Sequence, residues 1–285
     1  MDTLIVVLAL PAGLLIGGFV TMLVDRVPDK TPLSWGSRCP HCEHGLSVGD
    51  SVPVVSWVVR RGRCRHCDVA ITPAYPVVEL LTAALFVAVA LRFGAEWVVV
   101  PPLILVAALM ALSMIDLYVY RLPDRIVFPA VGLSAVAMVF VAIAIDRPGA
   151  LGRAAAGGAG YFLLLFVAHL VSPRGMGFGD VKLALLLGLH LGWTAGTSNY
   201  IGWAPVLRLV FYSLLISSLL GVVVGLLIAV LRRSTGRDLI ADPEADADTD
   251  DGQPQRLLAN SFPFGPALAA GAMIAVLFSD TILGA

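Results

Sequence analysis

From Val98 to Asp116 the chain reads VVVPPLILVAALMALSMID. Val98–Ile115 carries no charge over a length close to the roughly 20 apolar residues that a membrane-crossing helix needs. Pro101 and Pro102 fall in its first turn, where a missing backbone N–H costs nothing. The run then ends on a carboxylate, Asp116. Working outward, seven more stretches have the same character: Leu4–Val24, Pro76–Leu91, Ile126–Ile145, Ala154–Val171, Val181–Leu191, Val206–Leu231 and Pro266–Leu283. The expected fold class is therefore an all-α polytopic membrane protein with about eight transmembrane helices. The sixth span is short and calls for tilt, local thinning or support from neighbouring helices. Gly157, Gly158 and Gly160, set among alanines, predict close helix packing.

Composition agrees. Of 285 residues, 58% are hydrophobic and 14% charged, against about 25% charged in an ordinary soluble domain. That is too little charge to coat a water-facing surface. Nineteen basic and 20 acidic residues leave a net charge of −1, so no bulk positive field draws a polyanion, and nucleic acid is not an expected partner. The expected surroundings are the lipid bilayer. A signal peptide is the competing reading of Leu4–Val24. Asp2, the lack of Lys or Arg ahead of the run and the lack of a small-residue cleavage site after it argue against that.

Basic residues alternate between loops. Arg26, Lys30, Arg38, Arg60, Arg61, Arg63 and Arg65 lie in the first loop, Arg121 and Arg125 in the third, Arg174 in the fifth, and Arg232, Arg233, Arg237 and Arg256 after the seventh span, while the intervening loops hold only Arg92, Arg147 and Arg153 near their boundaries, with Arg208 just inside the seventh span. The positive-inside rule then places these loops in the cytoplasm and both termini outside. The expected domains are a first helix over 1–24, a cytoplasmic four-cysteine unit over 25–75, a transmembrane core over 76–233, a linker over 234–258 and a last helix over 259–285. The linker holds Asp238, Asp242, Glu244, Asp246, Asp248, Asp250 and Asp251 with no large apolar residue between Ile240 and Leu257, a composition expected to be disordered. Its acidic spacing fits no EF-hand loop.

All four cysteines lie in the first loop, as Cys39-Pro-His-Cys42 and Cys64-Arg-His-Cys67, with 21 residues between the pairs. Two equal CxxC knuckles in a cytoplasmic loop predict a tetrahedral four-thiolate zinc site. Four protein ligands leave no open position, so this zinc organises the loop and does no chemistry. A redox pair would need a βαβ context that so short a loop does not offer. His41, His44 and His66 are the alternative ligands.

Ionisable groups at membrane depth are costly and usually functional. Asp116 closes the third span, and Asp180 opens the sixth in Gly177-Phe178-Gly179-Asp180-Val181-Lys182. One span runs into the cytoplasmic boundary and the other leaves it, so both carboxylates are expected at the same boundary. Two carboxylates held close share a proton, and one can activate water while the other protonates a leaving amine. Gly177 and Gly179 would let backbone approach Asp180. Helix capping, or pairing of these aspartates with Lys182 or Arg121, is the structural alternative. Asp124 is expected to cap the fourth span.

These residues resemble one known family, the type IV prepilin peptidases, also called leader peptidase/N-methyltransferases. The likeness runs through the paired cysteines, Arg61-Gly62-Arg63-Cys64, Pro73-Ala-Tyr75-Pro76 leading to Glu79, Asp116 with Asp124 eight positions on, the Gly-x-Gly-Asp stretch with Lys182, and Pro263-Phe264-Gly265-Pro266. The resemblance implies an inner-membrane aspartic endopeptidase that cuts the basic leader of type IV prepilins or type II secretion pseudopilins after a glycine on the cytoplasmic side. It also implies methylation of the new amino terminus from S-adenosylmethionine. It matches Asp116 and Asp180 to the catalytic pair and the four cysteines to zinc. It makes Gly62 and Glu79 the methyl-transfer candidates. Arg174 and Asp50 depart from residues frequent in the family, and the acidic 234–258 segment is not a typical feature. From the residues alone a methyltransferase is not visible, since no Gly-rich βα loop is present. A proton-coupled transporter and a non-catalytic zinc-containing membrane scaffold are the competing functions.

Overall fold

The computed structural model describes residues 2–28, 39, 41–42, 44–45, 52–94, 96–173, 176–198, 202–235 and 264–284. Glu43, Asp50, Arg174, Pro263 and positions 236–258 of the acidic segment lie outside the described residues. Among the described residues the chain is all helical, with one isolated bridge between Arg63 and Ala70. The helices are α1 (Asp2–Arg26), α2 (Val55–Val59), α3 (Ala74–Phe93), α4 (Val100–Val119), α5 (Asp124–Ala144), α6 (Gly149–Val171), α7 (Phe178–Thr197), α8 (Ala204–Thr235), α9 (Gly265–Leu277) and α10 (Ser279–Leu283). A 3₁₀ turn, Trp97–Val99, leads into α4.

Among the described residues, six helices are long and apolar enough to cross a membrane: α1, α3, α4 with its leading turn, α5, α6 and α8. Their outward faces carry large apolar side chains such as Leu15 and Phe19 on α1, Leu163 and Val167 on α6, and Leu207 and Phe211 on α8. A soluble protein would not leave so many exposed, and lipid is the solvent they suit. The remaining two expected spans differ from the sequence reading. The last is broken at Phe278 into α9 and α10. The sixth, expected over only Val181–Leu191, is a full 20-residue helix, α7. It extends through Gly192, Trp193, Thr194 and Ala195, all buried. It contacts α4, α5, α6, α8 and α9, so it meets helices where the outer spans meet lipid, and small and polar residues serve it better than leucines.

Glycines set the closest contacts. A Cβ on Gly192 or Gly196 of α7 would strike the α6 backbone at Arg153 and Ala150, and one on Gly157 of α6 would strike α7 at Gly188. Gly158 also faces α7, whereas Gly160 has open space beside it. On the other side of the bundle, a Cβ on Gly13 or Gly17 of α1 would lie 2.5 Å from Ala83 Cα or 2.6 Å from Glu79 Cα of α3. At these points two backbones touch without intervening side chains, the means by which helices gain packing energy where no hydrophobic effect separates them from lipid.

The two ends of the bundle are distinct. At one end Arg92 of α3 caps the end of α9, donating to the Leu277 carbonyl at 3.1 Å and pairing with Asp280. Arg147 and Arg153 there donate to the Thr197 and Ala195 carbonyls at the close of α7, where a cation suits the negative end of the helix dipole. The other end gathers the close of α1, the start of α3 and the close of α4 around one cleft, with the cysteine loop between α1 and α3.

Candidate active site and thiolate centre

Asp116 lies in the last turn of α4. That helix closes at Tyr120, a residue in the left-handed region (φ 52°), whose N–H donates to the Asp116 carbonyl at 3.0 Å. The chain then extends through Leu122 to Pro123 before α5 begins at Asp124. Asp180 lies in the first turn of α7, and its N–H donates to the Gly177 carbonyl at 3.1 Å. The two carboxylates are 6% and 9% exposed, and Asp116 lies within direct electrostatic reach of Asp180. The end of one buried helix and the start of another thus bring together two acids that are 64 positions apart in the chain (180 − 116).

A third element completes the arrangement. Gly265, the first residue of α9, donates its backbone N–H to Asp116 Oδ2 at 3.0 Å. The first N–H groups of a helix have no partner of their own, and a carboxylate suits the positive end of the helix. A Cβ on Gly265 would lie 2.6 Å from that same oxygen. Leu122 fills the space beneath, 3.2 Å from where a Gly179 Cβ would stand and 3.5 Å from a Gly265 Cβ. Sequence reasoning missed Gly265 as a site residue. The available signal was Pro266, a proline in the first helical turn that marks a helix start.

Lys182 pairs with Asp124, not with Asp180, and lies over the Phe178 ring at 5.5 Å. Asp124 makes no capping bond; Pro123 holds the N-cap position, and the Asp124 carboxylate goes to the lysine one helix away. The expected cap is replaced by a tie between the starts of α5 and α7. Phe178 also meets His169 at 5.6 Å, and the His169 Nδ1–H donates to the Met176 carbonyl at 2.9 Å, fixing the approach to Gly177.

The four cysteines converge. Their Sγ atoms all lie within 4.8 Å of one another, and Cys39 and Cys67 are 3.8 Å apart. A tetrahedral zinc at about 2.3 Å from each sulfur requires sulfur–sulfur separations of about 3.8 Å, so the residues fit a metal. No disulfide links them. Cys39 N–H donates to the His44 carbonyl at 3.1 Å, and Cys64 N–H to the Val69 carbonyl at 2.9 Å, closing the two knuckle turns. Backbone N–H groups of Cys42 and His41 pull the Cys39 thiol down to about 6, and those of His66 and Cys67 lower Cys64, whereas burial and the neighbouring sulfurs push Cys42 and Cys67 up. The His44 and His66 rings lie 3.6 Å apart between centroids, and the histidines are outside the four-ligand cluster.

Glu79 and Gly62 both brace the α2 turn. Glu79 accepts the Val54 N–H on Oε2 at 2.7 Å, holding Val54 at a positive φ (58°) just before α2. Gly62 follows α2 at φ 68°, and a Cβ there would lie 2.8 Å from the Trp57 ring. The Trp57 Nε1–H donates to the Ile71 carbonyl at 3.1 Å, and the Ile71 N–H to the Gly62 carbonyl at 2.7 Å.

A bundle of apolar helices with two buried carboxylates at one end, and a cluster of four cysteines in the loop between α1 and α3, defines a multi-pass membrane protein. Comparison with known proteins supplies the family. The profile of the bacterial peptidase A24 N-terminal domain matches residues 12–93, and that of the type IV leader peptidase family matches residues 103–226. A prepilin leader peptidase/N-methyltransferase of Aeromonas hydrophila is 30% identical over 303 residues, covering 95% of this chain and 89% of that protein. One of Stutzerimonas stutzeri is 30% identical, covering 97% and 92%. One of Myxococcus xanthus is 36% identical over 227 residues, covering 79% and 62%. The chain belongs to the type IV leader peptidase family. No solved structure matches it.

Proposed function

We propose that this protein is an inner-membrane aspartic endopeptidase that removes the leader of type IV prepilins or type II secretion pseudopilins after a glycine, and then methylates the exposed amino terminus. The observation that carries the reading is the buried Asp116–Asp180 pair, formed by two helix ends and oriented by the Gly265 N–H. One carboxylate activates a water against the scissile carbonyl, and the other delivers a proton to the leaving amine. The acid end faces the cytoplasm, with both termini outside, as the basic loops require. Residues 25–75 form the zinc unit, 76–233 the peptidase core, 234–258 a linker and 259–285 the last span.

Cys39, Cys42, Cys64 and Cys67 hold zinc, which organises the loop. S-adenosylmethionine, when bound, supplies the methyl group. Gly62 and Glu79 serve methyl transfer by position, since they fix the two ends of the α2 turn. The test is mass spectrometry of a type IV pilin amino terminus after co-expression with the wild-type chain, Asp116→Asn or Asp180→Asn. Wild type yields a cleaved, methylated terminus, and either variant leaves the leader on. Cleavage by both variants at the wild-type rate overturns the assignment.

A further inference from the structure

The cysteine loop presents an apolar face to the outside of the protein. Val55, Val58 and Val59 of α2 are 56%, 60% and 74% exposed, and α2 buries none of its residues. The three valines fall within about 100° of one another around the helix, and Trp57 lies on the opposite side. There its ring packs against Gly62 and its Nε1–H donates to the Ile71 carbonyl, so the loop folds onto one face of α2 and leaves the other bare. Arg60, Arg61, Arg63 and Arg65 follow at once, and no acidic residue lies between Val52 and Cys67. Arg63 pairs with Asp68, and Arg61 and Arg65 are exposed beside it. Two contacts set the depth of α2. Glu79 holds the Val54 N–H, and Pro53 lies 3.4 Å from where a Gly18 Cβ would stand. At 1.5 Å per residue, Gly18 is about 12 Å short of the close of α1 at Arg26, and Glu79 about 8 Å past the start of α3 at Ala74. The turn that starts α2 is thus held against the sides of two spans, inside their ends.

We propose that α2 is an interfacial anchor: Val55, Val58 and Val59 enter the boundary between headgroups and acyl chains beside α1 and α3, and Arg61 and Arg65 bind the phosphates of anionic phospholipid. Depth and charge together single out this partner. A short apolar face with arginines next to it, held level with the ends of membrane spans, is the pattern of a helix lying in the interface plane. Each arginine near an anionic surface adds to the attraction. A prepilin fits less well, because the basic leader that the proposed function assigns to it would meet the same arginines with like charge. A second copy of this face would likewise set arginine against arginine. The inference goes beyond the catalytic reading and does not depend on it. Its structural consequence is that the cysteine loop is fastened at two levels, to α1 and α3 through Pro53 and Val54 and to the lipid through the valines, so it lies along the membrane at the acid end of the bundle.

The experiment uses the full chain in nanodiscs of phosphatidylcholine alone or of equimolar phosphatidylcholine and phosphatidylglycerol. A photoreactive benzophenone side chain replaces Val59, and the products of illumination are identified by mass spectrometry, with and without added prepilin. The same probe at Leu15, 66% exposed on the outer face of α1, is the reference for lipid contact. The expected adducts at position 59 are phospholipids. In the mixed discs phosphatidylglycerol should exceed phosphatidylcholine by about fivefold, the worth of one arginine at an anionic surface, whereas Leu15 captures the two lipids equally. Arg61→Gln combined with Arg65→Gln should remove the excess. A second reading needs no substitution: the Val58 and Arg60 amides of the wild-type chain should exchange hydrogen about fivefold more slowly in the mixed discs than in phosphatidylcholine. A probe at position 59 that forms no lipid adduct while the Leu15 probe does overturns the anchor. Capture of prepilin in place of lipid overturns it in favour of a protein-docking face. Equal capture of the two lipids, or equal exchange in the two kinds of disc, overturns the recognition of anionic headgroups.

Discussion

Gly265→Ala tests whether the backbone of α9 is part of the acid site. The new Cβ would stand 2.6 Å from Asp116 Oδ2, closer than real Cβ contacts come, and 3.2 Å from its Cγ. Either the carboxylate or the start of α9 must move, and the 3.0 Å bond from the Gly265 N–H is lost in both cases. A hydrogen bond to a charged group is worth about 1.5–3 kcal/mol. At about 1.4 kcal/mol per decade this is a fall in cleavage rate of roughly 10- to 150-fold. Gly160→Ala is the matched control: it lies inside α6 with open space around its Cβ position, so it should leave the rate unchanged. The assay is single-turnover cleavage of a prepilin by the purified protein in lipid nanodiscs, with the elution profile confirming an intact fold. Methylation of a pre-cleaved pilin should survive Gly265→Ala. Wild-type cleavage by Gly265→Ala would falsify the role given to α9. A loss of cleavage and methylation together would point to a general packing defect.

Other outcomes follow from the same geometry. Asp116→Asn and Asp180→Asn should each remove detectable cleavage while the protein still inserts, which a pilin-processing blot reads directly. The Lys182–Asp124 pair is partly exposed, with the Asp124 side chain 58% accessible, so its loss should cost only about 0–1 kcal/mol. Lys182→Met or Asp124→Asn should therefore slow cleavage by no more than about fivefold, and complete inactivity of either would show that the tie does more than position α7. Elemental analysis should find about one zinc per chain, absent after Cys64→Ser. Chelation should make the 39–75 region protease-sensitive, because metal binding and loop folding are coupled. A metal-free wild-type protein of equal protease resistance would rule that out. Gly62→Ala places a Cβ 2.8 Å from Trp57 at a φ of 68°, and should cost about 1–3 kcal/mol in local stability, read as faster hydrogen exchange at Ile71.

Hydropathy, parity and spacing determined much of this protein before any contact was known. Runs such as Val98–Ile115 must be satisfied helices, because a bilayer offers their backbone no partner. Once the spans are counted, the end at which each loop emerges follows, and this is why Asp116 and Asp180 could be assigned to one boundary from the sequence. Two equal CxxC pairs specify a metal site locally, since each knuckle is built from neighbouring residues. Lateral arrangement was decided only by tertiary structure. A one-dimensional pattern shows which face of a helix is apolar, but in a membrane lipid and protein partners are equally apolar, so the pattern does not say which helix is interior. For that reason α7 read as a short span and proved to be a long helix packed on five others. The Gly265 N–H on Asp116, the Lys182–Asp124 tie and the Tyr75–Asp25 bond each join segments 50 to 149 positions apart, and only the packing of the helices brings them together.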